Sequence, residues 1–139
     1  MRKIGILCLV LGFSALGLLP RAVFAQADVV TIDIPYDFMV ENTKLAAGTY
    51  QIIKVKDGNY RITNPKGDQK AMFMTETATN PTPATSFTLM FNVYGDQHFL
   101  SKFFHQGMTV GDGLRQTAAE KELAKKMPPT TEVVYQKEK

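Results

Sequence analysis

From Val30 to Glu41 the chain alternates apolar and polar residues almost without fault, and this period of two constrains the fold more than any other feature. Val30, Ile32, Ile34, Tyr36, Phe38 and Val40 fall on one side; Thr31, Asp33, Pro35, Asp37 and Glu41 fall on the other. Successive side chains of an extended strand point to opposite faces, so such a segment is a strand with one buried face. Pro35 has no N–H to give to a ladder, which puts the strand at a sheet edge, or a bend or bulge at that residue.

The same grammar continues along the chain. Residues 42–48 read as a turn. Tyr50 to Val55 and Tyr60 to Thr63 flank Lys56-Asp57-Gly58-Asn59, and Asp-Gly between two apolar runs is a strong hairpin signal because both residues tolerate positive φ. Asn64-Pro65-Lys66-Gly67-Asp68 makes the next turn, into a strand from about Lys70 to Thr77. The stretch from Ala78 to Thr85 holds two prolines and no large apolar residue, and reads as a loop. Phe87, Leu89, Phe91 and Val93 alternate with Thr88, Met90 and Asn92, Gly95-Asp96 turns the chain, and a last strand runs from about His98 to His105. The fold expected is therefore mainly β: a small antiparallel sandwich or barrel of about six to seven strands with one C-terminal α-helix.

That helix is announced by Thr117-Ala118-Ala119-Glu120, which has the spacing of a capping box. Ala119, Leu123 and Met127 share one side of it, and Glu122 and Lys126 are placed to pair at i,i+4. Pro128-Pro129 stops it. The tail beyond contains Val133-Val134-Tyr135, which reads equally as a final edge strand or as disordered chain.

The first 27 residues read differently from the rest. Arg2 and Lys3 precede an apolar run from Ile4 to Leu19, followed by Pro20 and small residues around Ala25 and Ala27. That order is a cleavable signal peptide, 1–27, with cleavage after Ala25 or Ala27. The apolar run, sixteen residues long, is short of the roughly 20 needed to span a bilayer. The remaining chain divides into a single β-rich domain over 28–127 and a Pro-Pro and polar tail over 128–139. Its location is expected to be the periplasm, cell envelope or extracellular space, with no stable membrane insertion after cleavage.

Subtracting the leader changes the arithmetic. The full chain has 16 Lys plus Arg and 13 Asp plus Glu. Arg2, Lys3 and Arg21 belong to the leader, so 16 less 3 leaves 13 cations against 13 anions. A nucleic-acid partner, which demands a concentrated basic excess, is not expected. The single cysteine, Cys8, is also in the leader. The mature chain must therefore fold on a hydrophobic core without disulfides, and about 112 residues suffice for one such core.

No catalytic signature emerges. His98 and His105 are seven apart and point to opposite faces of one continuous strand, and no cysteine is present to complete a zinc site. The cluster from Gly107 to Gly113 lacks the lysine of a phosphate loop, carries Asp112 instead, and reads as a flexible connection needing positive φ at several points. Met72 and Met74, on one strand face, are a weak copper(I) signature and a good core filler. Asp57, Asp68, Asp96 and Asp112 all neighbour glycine, which is turn chemistry. No metal and no cofactor are expected. Phe99, Phe103 and Phe104 crowd one strand, and the favoured reading puts one parity in the core and the other under the C-terminal helix. Were the strip exposed, Tyr94, Phe99, Phe103 and Phe104 with His98 and His105 would be the ligand-binding residues.

The segments IPYDFMVENTKLAAGTYQI, YGDQHFLSKF and AEKELAKK resemble a family of small exported bacterial β-rich proteins of uncharacterised activity. Its marks are a Val-Pro-Phe-like strand, a Leu-Pro-Ala-Gly-x-Tyr turn, a Tyr-Gly-Asp hairpin and a basic helix near the C-terminus. Tyr36 and Ala46 stand where Phe and Pro are more usual. The resemblance implies export and a compact β-domain, and no activity. The function expected is a non-enzymatic binding or structural domain of the cell envelope, its partner an envelope component or small ligand. The alternatives are a lipocalin-like carrier of an apolar ligand, or a small hydrolase with a site near Asp96, His98 and His105.

Overall fold

The computed structural model describes residues 29–137; the signal peptide expected over 1–27, with Cys8, lies outside the described residues. Eleven strands and one helix form a sandwich of two sheets. Sheet A has the order β1 (Val29–Ile34), β4 (Gly48–Lys56), β5 (Asn59–Thr63) and β6 (Gln69–Met74), all antiparallel. Sheet B has the order β11 (Thr130–Tyr135), β8 (Thr88–Tyr94), β9 (Gln97–Phe104), β10 (Val110–Gly113) and β7 (Glu76–Thr79). The short hairpin of β2 (Phe38–Val40) and β3 (Thr43–Leu45) joins sheet B through Met39, parallel to Phe99.

The mainly β class stands, but the strands outnumber the six read from sequence for two reasons. Two of those six cross between the sheets. The first leaves sheet A after Ile34 and re-forms as β2 in sheet B, with Pro35 at the corner where its missing N–H costs no ladder bond. Inward alternation survives the crossing, since Ile32, Ile34, Phe38 and Val40 are all buried. The segment beyond Gln69 crosses likewise at Thr75, from β6 to β7. The second reason is that β3, β10 and β11 carry no strong strand signal. β11 pairs with β8 over six residues, so the sandwich continues past Pro128-Pro129.

Three turns form as their residues dictate. Gly58, Gly67 and Gly95 adopt φ of 73°, 89° and 61° in the connections β4–β5, β5–β6 and β8–β9. The cluster from Gly107 to Gly113 differs from the flexible connection expected: only Gly107 has positive φ, while Gly111 and Gly113 lie in β10.

Between the sheets, Phe38, Ile62, Leu89, Phe91 and Phe103 are essentially inaccessible and fill the interior with interlocking side chains. A second, thinner apolar layer lies on the other face of sheet B. There Tyr94, Phe99 and Phe104 are buried, and the helix α1 (Ala118–Lys126) is anchored over this face. Thr117 caps α1, its hydroxyl accepting from the Glu120 amide at 3.2 Å. The helix face turned inward is not the one expected. Ala119 and Met127 are exposed, whereas Glu120 is buried and accepts hydrogen bonds from Asn92 Nδ2 at 3.0 Å and Tyr94 Oη at 3.1 Å. A carboxylate shielded from water needs such donors, and β8 supplies both. Glu122 pairs with Lys125 rather than Lys126.

Candidate functional site

The six residues singled out as candidate ligand contacts do not form one site. Tyr94, Phe99, Phe103 and Phe104 are between 0% and 3% exposed and serve as packing on the two faces of sheet B. Phe103, with Phe38 and Phe91, occupies the space between the sheets that a carrier would reserve for an apolar ligand. The two histidines line clefts.

His98 of β9 and His105, one residue past its end, both lie on the inward side, contrary to the parity of a continuous strand. β9 pairs Leu100 with Phe91 but Lys102 with Met90, so Ser101 is an extra residue in a bulge. The bulge resets the alternation: His98 and Leu100 face inward before it, and Phe103 faces inward after it. His105, two residues on, packs edge-on against Phe87 with ring centroids 5.1 Å apart. A strand of this length separates the two by roughly 20 Å, so they serve opposite ends of the sandwich.

At one end, the Tyr36 ring stacks on His98 with centroids 3.7 Å apart. His98 Nε2 lies 3.1 Å from Glu132 Oε2 of β11. The ring opens on a cleft of about 320 Å³ lined by Asp37, Lys44 and Asp96 among others. A histidine beside a carboxylate is the start of a general base, but the base must present its other nitrogen to the reacting group. His98 Nδ1 is buried and has no hydrogen-bond partner. The pair instead ties β9 to β11 across β8, and Asp96 stands at the exposed hairpin tip beside it.

Tyr36 Oη is also buried, with no well-aligned hydrogen bond. Burial first, and the Glu132 carboxylate second, push its pKa up to about 12. The phenol is thus held neutral in the folded chain at pH values where an unfolded tyrosine already ionises. Such a group stabilises the fold fully below pH 10, and the contribution is lost as pH rises from 10 to about 12. Tyr50 and Tyr94 shift the same way, each chiefly through burial. Tyrosinate absorbance followed through this range should rise late for these three tyrosines, and Tyr36→Phe should remove one tyrosine's share of that late rise. A Tyr36 step at the ordinary value of 10 would refute the packing described.

At the other end, Asp112 of β10 accepts from Tyr60 Oη at 2.9 Å and from Thr75 Oγ1 at 2.7 Å. It is therefore a bridge between the sheets rather than a turn residue, unlike Asp57, Asp68 and Asp96. Asp112 shares a cleft of about 320 Å³ with His105, Lys54 and Tyr60. Both of its oxygens are engaged. No group of three or more His, Cys, Asp or Glu side chains converges among the described residues.

The long sides of the sandwich are unequal. On one, β6 runs directly into β7 and closes the gap covalently. On the other, the edges of β1 and β11 face each other, bridged by Gln136, whose Nε2 donates to Thr31 O at 3.1 Å. Adjoining grooves of about 550 and 680 Å³ follow these edges, with Asp33, Tyr135 and Lys137 in both. The two outer faces are unequal as well: α1 is anchored on that of sheet B, and the outer face of sheet A presents exposed Val29, Val55, Met72 and Met74. Met72 and Met74, expected to fill the core, are instead exposed on this face, because β6 turns Ala71 and Phe73 inward. Comparison with protein families, with curated proteins and with solved structures returned no match.

Proposed function

We propose that this chain is an exported, non-enzymatic binding or structural domain of the cell envelope, which meets its partner through a sheet surface. The observation that carries this reading is the bare outer face of sheet A. Four large apolar side chains there are roughly half exposed or more, at 49% for Val29, 51% for Val55, 55% for Met72 and 67% for Met74. A small sandwich with a well-filled interior has no packing need for these residues on its surface, and a cluster of this kind is characteristic of an interaction site.

The export half of the reading rests on the order of residues at the N-terminus and is tested separately. Expressed with its own N-terminus in a bacterial host, the chain is expected in the periplasmic or medium fraction, and intact-mass measurement should place cleavage after Ala25 or Ala27. Full-length chain retained in the cytoplasm would overturn the assignment.

A further inference from the structure

We infer that the outer face of sheet A is a docking surface for an anionic lipid bilayer. This rests on the reading of the chain as a surface-binding domain and names the partner.

The strand register builds the surface directly. Val29, Ile53, Arg61 and Met72 lie in one row across all four strands, and Lys56, Asn59 and Met74 form the next. Val55 stands beside them, 51% exposed, where the pairing of β4 and β5 shifts. Lys70, two residues before Met72, shares its side of β6 and is exposed. Apolar and cationic side chains thus alternate over one face.

The charge around this face is lopsided. Residues 56–72 hold four cations (Lys56, Arg61, Lys66, Lys70) and two carboxylates, while the other described residues hold eight and nine; Lys54, in the inward row with Tyr60 and Phe73, lines the Asp112 cleft instead. Both carboxylates are engaged locally, Asp57 with Lys54 at 2.9 Å and Asp68 with Asn64 Nδ2 at 2.9 Å. Two more carboxylates border this face: Asp33, by register at the far β1 corner, accepts from the Thr49 hydroxyl, and Glu41 Oε1 accepts from the Met74 amide at 3.4 Å on the β6 edge. A domain with almost balanced charge has therefore gathered its positive excess beside its exposed apolar side chains.

That combination selects the partner. An acidic protein would be met by a face with concave pockets and rigid aromatic anchors. This one is a sheet surface bearing flexible methionines and small valines, and its rows contain no aromatic residue. A bilayer needs no shape complementarity: apolar side chains enter the headgroup boundary while Lys and Arg meet anionic headgroups. Contact would be peripheral, since no helix among the described residues is long and apolar enough to cross a membrane.

The test uses the chain recovered after export, with every variant prepared identically so that any contribution from residues outside 29–137 cancels. Co-sedimentation is measured with vesicles of phosphatidylcholine, and of equal parts phosphatidylcholine and phosphatidylglycerol. Binding is expected to the second only, and to weaken with added salt. The double variant Arg61→Glu with Lys70→Glu should lose roughly tenfold or more in affinity. Met72→Ser with Met74→Ser should lose a similar factor, while Lys121→Glu on the exposed helix surface should change nothing. Circular dichroism confirms that each variant is folded. Absence of binding, or equal loss in the Lys121 variant, overturns the proposal. So does polyglutamate binding with the same variant pattern and no vesicle binding, which would assign the face to an acidic polymer. A chain that is exported but ignores both vesicles removes the lipid proposal alone; a chain that is never exported removes the envelope reading itself.

Discussion

Phe103→Ala is expected to lower the stability of the domain by about 3–5 kcal/mol, measured by urea unfolding. Phe103 is fully buried, and its ring is the point at which the two sheets meet. It packs edge-on against Tyr60 of β5 at 4.9 Å and Phe73 of β6 at 6.2 Å between centroids, and lies 5.9 Å from Phe87. Truncation leaves a cavity ringed by aromatic groups, which cannot collapse into it without breaking their own contacts. Small domains are held by only about 5–15 kcal/mol, so this one change removes a large share of the total. Tyr60 also donates to Asp112, so loss of the Phe103 ring loosens that bridge and the transition should broaden as well as shift. A loss below about 1 kcal/mol would mean that Phe103 is not the keystone described.

Gly111→Ala is expected to be nearly as damaging, at about 2–4 kcal/mol, although it only adds a methyl group. Gly111 lies in a strand with ordinary φ, so backbone freedom does not explain it. The reason is space: a Cβ there would overlap the Phe103 carbonyl oxygen and sit 2.6 Å from Cδ1 of the Phe104 ring. The oxygen belongs to a backbone fixed in β9, and Phe104 is fully buried, so neither yields cheaply. Gly113→Ala is the internal comparison. Its added Cβ would meet Ala78 Cβ at 3.3 Å, a tight contact that small shifts relieve. Equal losses at the two positions, read from the same unfolding midpoints, would contradict this account.

These two residues also mark how far the residue pattern reaches. The period of two, the Asp-Gly and Gly-Asp turns and the capping threonine are local chemistry, and they account for most of the strands and for the helix. The fate of Phe99, Phe103 and Phe104 is legible too, since rings of both parities on one strand require cover on both faces. What stays hidden depends on partners distant in sequence. Pro35 and Thr75 turn the chain from one sheet to the other, which alternation cannot register because the buried side remains buried. The bulge at Ser101 reverses parity for half a strand, so simple alternation puts His98 and His105 on opposite faces. Gly111 reads as a hinge because a glycine excluded by a neighbouring ring has the same letter as one needed for φ. Glu120 reads as half of a capping box, yet its carboxylate serves Asn92 and Tyr94 instead. The methionines of β6 are ambiguous for the same reason: periodicity shows that two side chains share a face and not which face is covered.

Gln136 and Thr31 are 105 residues apart in sequence and joined by one hydrogen bond. The described chain therefore enters and leaves the sandwich at a single place, alongside the grooves of the β1 and β11 edges. Any segment attached at either end is delivered to that same seam, next to Val29 at the border of the outer face of sheet A. Topologically the domain is a nearly closed ring whose clasp lies beside its most exposed apolar surface.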